Sequence, residues 1–405
     1  MNHLRILLGF GTLSALGLCP ANLLAQDTNS AVLRDGDRVV LVGGAFVERL
    51  QNYGYLETLL TAAHPQTSVR FRNLGWSGDN VFGLARAVFG KQPDGFRRLE
   101  KDLKTAAPTT VWVCYGANEA HAGEAGLPQF QEGLEHLLDQ LRRTGVRVVL
   151  LAPPRYEALP PPLPNPSDYN TKLQRYCEVL QKTARSRGLA YVDWNSPPGR
   201  NLTDNGVHWN EAGYWRMALW MAKQLPVSPP SWRVEIDAES QQARSEGTRI
   251  SDLQRKDQIL AFTALDKVLP PAPLAAEAVV ESPPTAQAGV LQIRGLASGS
   301  YRLENDGQVL RQATAKQWAA GVSLAQRGGS RQAAELRRTI QKKNELFFHR
   351  HRPQNETYLF LFRKHEQGNN AVEIPQFDPL IDQQEKRIAQ LRKPQPQQYR
   401  LVPAN

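Results

Sequence analysis

The sequence predicts an α/β fold: a parallel sheet with helices on both faces, three layers in all, followed by a small β module and a helical C-terminal region. Three observations carry this. Five strand-like runs alternate with helical patterns between residues 36 and 228. Thr144-Gly145 and Arg187-Gly188 end two of those helices, and an apolar strand follows each at once. The run Arg38 to Val42 stops at Gly43-Gly44 before helical spacing begins at Val47, which reads as buried parallel strand, tight turn, helix.

In chain order the strands are Val39–Val42, Ser68–Asn73, Thr109–Tyr115, Val146–Ala152 and Leu189–Asp193. Helices are expected over 47–63, 79–106, 127–144, 167–187 and 210–224. Such alternation gives a parallel sheet covered on both faces, with ligands outside the carboxyl ends of the strands. The Pro-rich connection Pro153–Pro166 lies on that edge, either as a pocket wall or as a stiff surface loop. From 229 to 313 short alternating runs surround Asn305-Asp306-Gly307, a hairpin signal, with a Pro/Ala/Glu-rich linker from Leu269 to Pro284. Residues 314–405 read as mostly helical: Thr314–Leu346, broken near Gly328-Gly329, and then a charged helix over 380–393.

The length of 405 residues suggests two or three domains, and 41% apolar with 22% charged residues is an ordinary globular balance. The net charge of +10 is dispersed, without basic arms or nucleic-acid motifs, so a nucleic-acid partner is not expected. Residues 1–25 read as a secretory signal: a polar start at His3 and Arg5, an apolar core Ile6–Leu18, and Leu23-Leu24-Ala25 before Gln26. That core is too short to span a membrane, and export to the periplasm or beyond follows. After cleavage Cys114 and Cys177 remain, expected as two buried thiols, with a disulfide as the alternative. The polar and aromatic segment 344–376 is read first as a network docking the C-terminal region, second as a cap presenting Arg, His and Asn to a ligand. His349, His351 and His365 lack a carboxylate or cysteine at metal spacing, so no metal or cofactor is expected.

Three more motifs follow strands on the edge of the Ala45 turn: Ser77-Gly78-Asp79, Gly116-Ala117-Asn118, and Asp204-Asn205-Gly206-Val207-His208. With Gly43 to Glu48 in the register of Gly-Asp-Ser-Ile-Thr-Glu, these four blocks resemble the SGNH/GDSL hydrolase family over about 36–228. The resemblance implies a flavodoxin-like sheet, an ester hydrolase acting on a small-molecule or glycan ester, and a nucleophile where this chain has Ala45. It further implies His208 as base, Asn205 where the orienting acid belongs, and an oxyanion hole from the Ala45 N–H, the Gly78 N–H and the Asn118 amide. Ser77 is a substitute nucleophile only if its side chain faces the pocket rather than the turn. Two functions remain open: a degenerate ester hydrolase, and a non-catalytic binder of a glycan or carboxylate. Taken singly, each residue also has a structural role: glycines for turns, Ser77 or Asp79 as a helix cap, and Asn118 as a turn residue.

Overall fold

A central sheet of five parallel strands has the order β2-β1-β3-β4-β5, formed by Arg38–Gly43 (β1), Arg70–Asn73 (β2), Thr110–Cys114 (β3), Arg147–Ala152 (β4) and Ala190–Asp193 (β5). The computed structural model describes residues 32–194, 199–225, 231–275, 289–368 and 370–404. The expected signal segment 1–25 lies outside the described residues.

Alternation along the strands feeds two cores. Val39, Leu41, Trp112 and Leu151 face one side, packed by helices Ala45–Tyr53 (α1), Tyr55–Ala63 (α2) and Glu211–Gln224 (α6). Val40, Val42, Val111 and Leu150 face the other, covered by Gln92–Ala106 (α3), Leu127–Arg143 (α4) and Ser167–Arg187 (α5). The fold is thus an SGNH-hydrolase-like α/β/α arrangement. Strand order reverses at β1, so the turns after β1 and β3 open the crevice where such sheets place ligands.

Three expected elements differ. The helix over 47–63 is two, because Gly54 turns left-handed at φ 66° between them. The helix over 79–106 begins only at Gln92; before it lie turns and a 3-10 segment, Leu84–Ala87. There the Asn80 Oδ1 accepts the N–H groups of Phe82 and Leu84, and Asp79 Oδ1 accepts that of Ala85, diverting the chain from a helical ladder. The helix over Thr314–Leu346 is broken, as the glycine pair suggested, with its second part starting at Gly329, but the gap before it also holds an unexpected strand, Val322–Leu324.

The β module is two sheets sharing one core. One runs β13-β10-β6-β7, from Val322–Leu324 (β13), Gly289–Arg294 (β10), Arg233–Asp237 (β6) and Gln242–Glu246 (β7). The other runs β12-β11-β14-β9-β8, from Gln308–Thr314 (β12), Ser300–Asn305 (β11), Gln397–Pro403 (β14), Ile259–Asp266 (β9) and Thr248–Lys256 (β8). Trp232, Phe262, Leu291, Tyr301, Trp318 and Tyr399 fill the space between. The expected hairpin forms at Asp306 and Gly307, both at positive φ.

After the short helix Ala315–Ala320 (α7) and β13, the helix Gly329–His351 (α8) lies against α1, α2 and β2. A short helix, Glu356–Leu359 (α9), and then Phe377–Leu391 (α10), packed along α8, complete the C-terminal region. Buried polar pairs fix this docking. Lys343 Nζ lies 2.7 Å from Glu57 Oε1 and 3.0 Å from the Phe71 carbonyl, Asn344 donates to Glu57, and Arg98 donates to the His351 carbonyl. The helix segment 344–351 therefore works as a docking network. No helix of the described residues is long and apolar enough to cross a membrane.

Candidate active site

The first turn is built by close packing. A Cβ on Gly43 would stand 2.5 Å from the Cys114 carbonyl oxygen and 2.6 Å from a Val47 methyl, so only glycine fits. Gly44 then precedes Ala45, the first residue of α1. The Ala45 N–H belongs to the first turn of a helix, where amides lack intrahelical acceptors and point outward. Its methyl group offers no nucleophile.

The second turn carries Gly78 at φ +78°. The Ser77 N–H donates to Glu48 Oε2 at 2.6 Å, which fixes the turn against α1. Asp79 is buried and is no exposed acid: its carboxylate meets Arg86 Nε at 2.7 Å and accepts from the Tyr115 hydroxyl at 2.7 Å. Burial, with Asp79 adjacent, pushes the Tyr115 hydroxyl well up. In the third turn Glu119 accepts the N–H groups of Val81 and Gly116, each at 2.9 Å, which ties the second and third turns together. Burial raises its carboxyl.

Asn118 donates one amide hydrogen to the Asp79 carbonyl at 2.5 Å. A Cβ built on Gly44 would lie 3.3 Å from that amide nitrogen, so the Asn118 amide sits over the first turn. Its second hydrogen is the one such an amide would aim at a ligand.

His208 lies in a loop closed by a Thr203–Trp209 bridge and the Asp204 N–H to His208 carbonyl bond. Asn205 Oδ1 accepts the N–H groups of His208 and Val207, at 2.8 and 3.1 Å. These two donors fix the orientation of the amide, which turns Asn205 Nδ2 toward His208 Nδ1 at 3.2 Å. Asn205 Oδ1, the one atom of that side chain able to accept from an imidazole N–H, is therefore taken, and the amide nitrogen faces the ring instead. An amide nitrogen can only donate, so this contact requires Nδ1 to accept, which assigns the proton of a neutral ring to Nε2. Among the described residues the Asp204 carboxylate makes no hydrogen bond to the ring; it lies 3.5 Å from Arg49.

The first and last turns meet through the residues that follow Ala45 and His208. Phe46 packs edge-on to Trp209 and Trp194 and stacks on Tyr214, whose hydroxyl donates to the Phe46 carbonyl at 2.8 Å. Ala45, Gly78, Asn118 and His208 thus stand on adjoining turns of one sheet edge. Ser77, Gly78, Asn118, Asn205 and His208 are exposed there. No hydrogen bond joins Ser77 Oγ to His208 among the described residues.

Three contributors had no signal in their spacing. Glu157, in the Pro-rich loop, accepts from the Leu202 N–H and the Thr203 hydroxyl, while its own N–H donates to the Gly206 carbonyl. The same loop also packs toward the third turn: Tyr156 stacks on Tyr169 at 3.9 Å and faces His121, three residues from Asn118. Arg352, beyond α8, reaches Glu48 Oε2 at 2.7 Å and lies 3.9 Å over the Trp76 ring, so the C-terminal region braces the Ser77–Gly78 turn. Cys114 and Cys177 are free and buried, and burial pushes the Cys177 thiol up to about 12. Among the described residues no group of His, Cys, Asp or Glu is arranged to hold a metal ion; His351 is buried, while His365 is exposed.

Residues 43–216 match the GDSL-like Lipase/Acylhydrolase family. Among solved structures, a gut microbial diltiazem-metabolizing enzyme is 18% identical, with a TM-score of 0.73, and the match covers 92% of this chain and 99% of that one. The acetylxylan esterase Axe2 from Geobacillus stearothermophilus is 19% identical over 48% of this chain and 96% of its own, with a TM-score of 0.37. A catalytic mutant of the same esterase gives 17%, 48%, 97% and 0.39. No curated protein matches. With four motif-bearing turns on one edge of a 2-1-3-4-5 sheet, the α/β part of this chain has the SGNH/GDSL hydrolase fold.

Proposed function

We propose that this chain is an exported, SGNH/GDSL hydrolase-like protein that binds the acyl group of an acylated carbohydrate or small-molecule ester, or the matching carboxylate, without forming a covalent acyl-enzyme. One observation carries the reading: the tip of the first turn is Ala45, and Asn205 donates to His208 Nδ1 at 3.2 Å. A missing hydroxyl removes the covalent route. An Nε2-protonated imidazole is a donor rather than a base, so together with the Ala45 N–H, the Gly78 N–H and the Asn118 amide it suits a carbonyl or carboxylate oxygen. Export to the periplasm or beyond rests on residues 1–25.

The family match favours a second reading, ester hydrolysis by water on the same donors. In serine hydrolases stripped of triad members such remnants still give ~10³–10⁴ over the uncatalysed rate. Titration calorimetry with acetate, butyrate and acetylated xylo-oligosaccharides, beside nitrophenyl acetate turnover, separates the two. Binding without turnover, weakened roughly tenfold or more in His208→Ala, supports the binder. Turnover that falls in His208→Ala makes it a hydrolase, and absence of both overturns the site. A fluorophosphonate probe should not label the protein; labelling lost in Ser77→Ala would make Ser77 the nucleophile.

A further inference from the structure

Two segments far apart in sequence bring large apolar side chains to one exposed place. After the second turn, Leu84, Val88 and Phe89 are 52%, 47% and 73% exposed. Beyond α9, Phe360 and Phe362 are 40% and 68% exposed. The two segments touch: the Phe89 and Phe362 rings lie 6.1 Å apart, edge to face. The polar residues among and beside them are mainly cationic. Lys101 Nζ lies 5.7 Å over the Phe360 ring, Lys91 follows Phe89 by two residues, and Lys364 follows Phe362 by two. None of the three lysines forms an ion pair among the described residues, whereas neighbouring Asp94, Glu356 and Glu366 are each held by an arginine. Glu100 of α3 and Asp382 of α10, which lines the cavity that Lys101 and Phe360 also line, are the exposed carboxylates that remain near them.

Scattered exposed apolar side chains need no explanation, but aromatic residues clustered from two segments and bordered by uncompensated lysines are an interaction surface. The chemistry selects the occupant. A self-complementary dimer through this patch would bring its lysines against themselves, in a chain already at +10. A surface that is apolar beneath an anionic layer satisfies both features at once: rings enter the acyl boundary while lysines stay with the headgroups.

We propose that this patch docks the protein peripherally on an anionic lipid surface. The patch begins six residues from Gly78, and a Cβ on Gly78 would stand 4.0 Å from Ala85, so docking sets the candidate site beside the membrane face.

Flotation with vesicles of phosphatidylglycerol and phosphatidylcholine, against phosphatidylcholine alone, tests this on the full chain. Binding is expected only with the anionic lipid and should fall with added salt. It should drop roughly fivefold for each of Lys91→Gln and Lys364→Gln, and be lost in Phe89→Ser/Phe362→Ser, whose side chains are exposed and whose fold is checked by circular dichroism. Equal recovery of wild type and the double serine variant, or no recovery with any vesicle, overturns the proposal. A dimer in solution that the serine variant dissolves would overturn it in favour of a second copy.

Discussion

Restoring the missing hydroxyl alone should leave the site nearly silent, because the defect at His208 is independent of the one at Ala45. In Ala45→Ser the new hydroxyl stands at the first turn of α1, yet the imidazole keeps its proton on Nε2 and has no lone pair to offer. Asn205 would have to rotate its amide to present Oδ1 to the ring, breaking the bonds to the His208 and Val207 N–H groups at 2.8 and 3.1 Å. At about 1 kcal/mol each, the rotation costs about 2 kcal/mol, or roughly thirtyfold in rate. Asn205→Asp keeps both backbone bonds and places a carboxylate oxygen where Nδ2 now lies. It therefore removes that barrier and supplies the charge that stabilises an imidazolium, a change worth roughly 10⁴ in serine triads. Nitrophenyl acetate hydrolysis by Ala45→Ser/Asn205→Asp should exceed that of Ala45→Ser by a factor between roughly 30 and 10⁴ in kcat/KM. Ring ¹⁵N shifts should show the His208 proton on Nε2 in the wild type and on Nδ1 in Asn205→Asp. Equal rates for the single and double variants, or a wild-type proton on Nδ1, would refute the argument.

Burial, helped by the charges of Arg86, Arg98 and Arg352, pushes His351 down to about 3, so it is neutral in the fold. The unfolded chain takes up that proton below about pH 6.5; the contribution is whole above that pH and declines toward about pH 3, by at most about 1.4 kcal/mol per pH unit. His351→Phe should flatten this slope in urea titrations at neutral and acid pH, and an unchanged slope would count against it. Arg352→Ala should free Glu48 and speed hydrogen exchange at the Ser77 N–H about five- to tenfold, as loss of about 1–1.5 kcal/mol of charged bonding implies. Exchange at wild-type rate would show that the C-terminal region does not brace that turn.

The parallel sheet was legible because its three central strands, β1, β3 and β4, are largely apolar on both faces, while β2, with Arg70, Arg72 and Asn73, was placed by its alternation with helices. The stretch after Ser77 misled for a definite reason. Val81, Leu84, Ala85 and Val88 carry helical spacing, but the side chains of Asp79 and Asn80 capture the amides a helix would need. The Val322–Leu324 strand is three residues long and exists through its pairing with Gly289–Leu291, which local pattern does not encode. At the site, Ala45, Gly78, Asn118 and His208 could be placed by order along the chain. The orientation of Asn205 could not, since it depends on which of two nearly equal atoms meets the backbone. Nor could the Arg352–Glu48 contact, which spans 304 positions.

The strand Gln397–Pro403 lies in the middle of its sheet, with Leu401 opposite Leu260 on one side and Leu303 on the other. Between Leu324 and Gln397 the chain leaves the β module to lay α8 and α10 on the α/β layers, then returns. A ribosome therefore releases two half-made sheet edges, β9 and β11, well before the piece that joins them. During that interval each edge is a template for another chain, and closing the sheet needs pairing across a long stretch of sequence, which is slow. No single scission between the α/β layers and the β module leaves both halves whole, so the strand Gln397–Pro403 acts as a latch between β9 and β11.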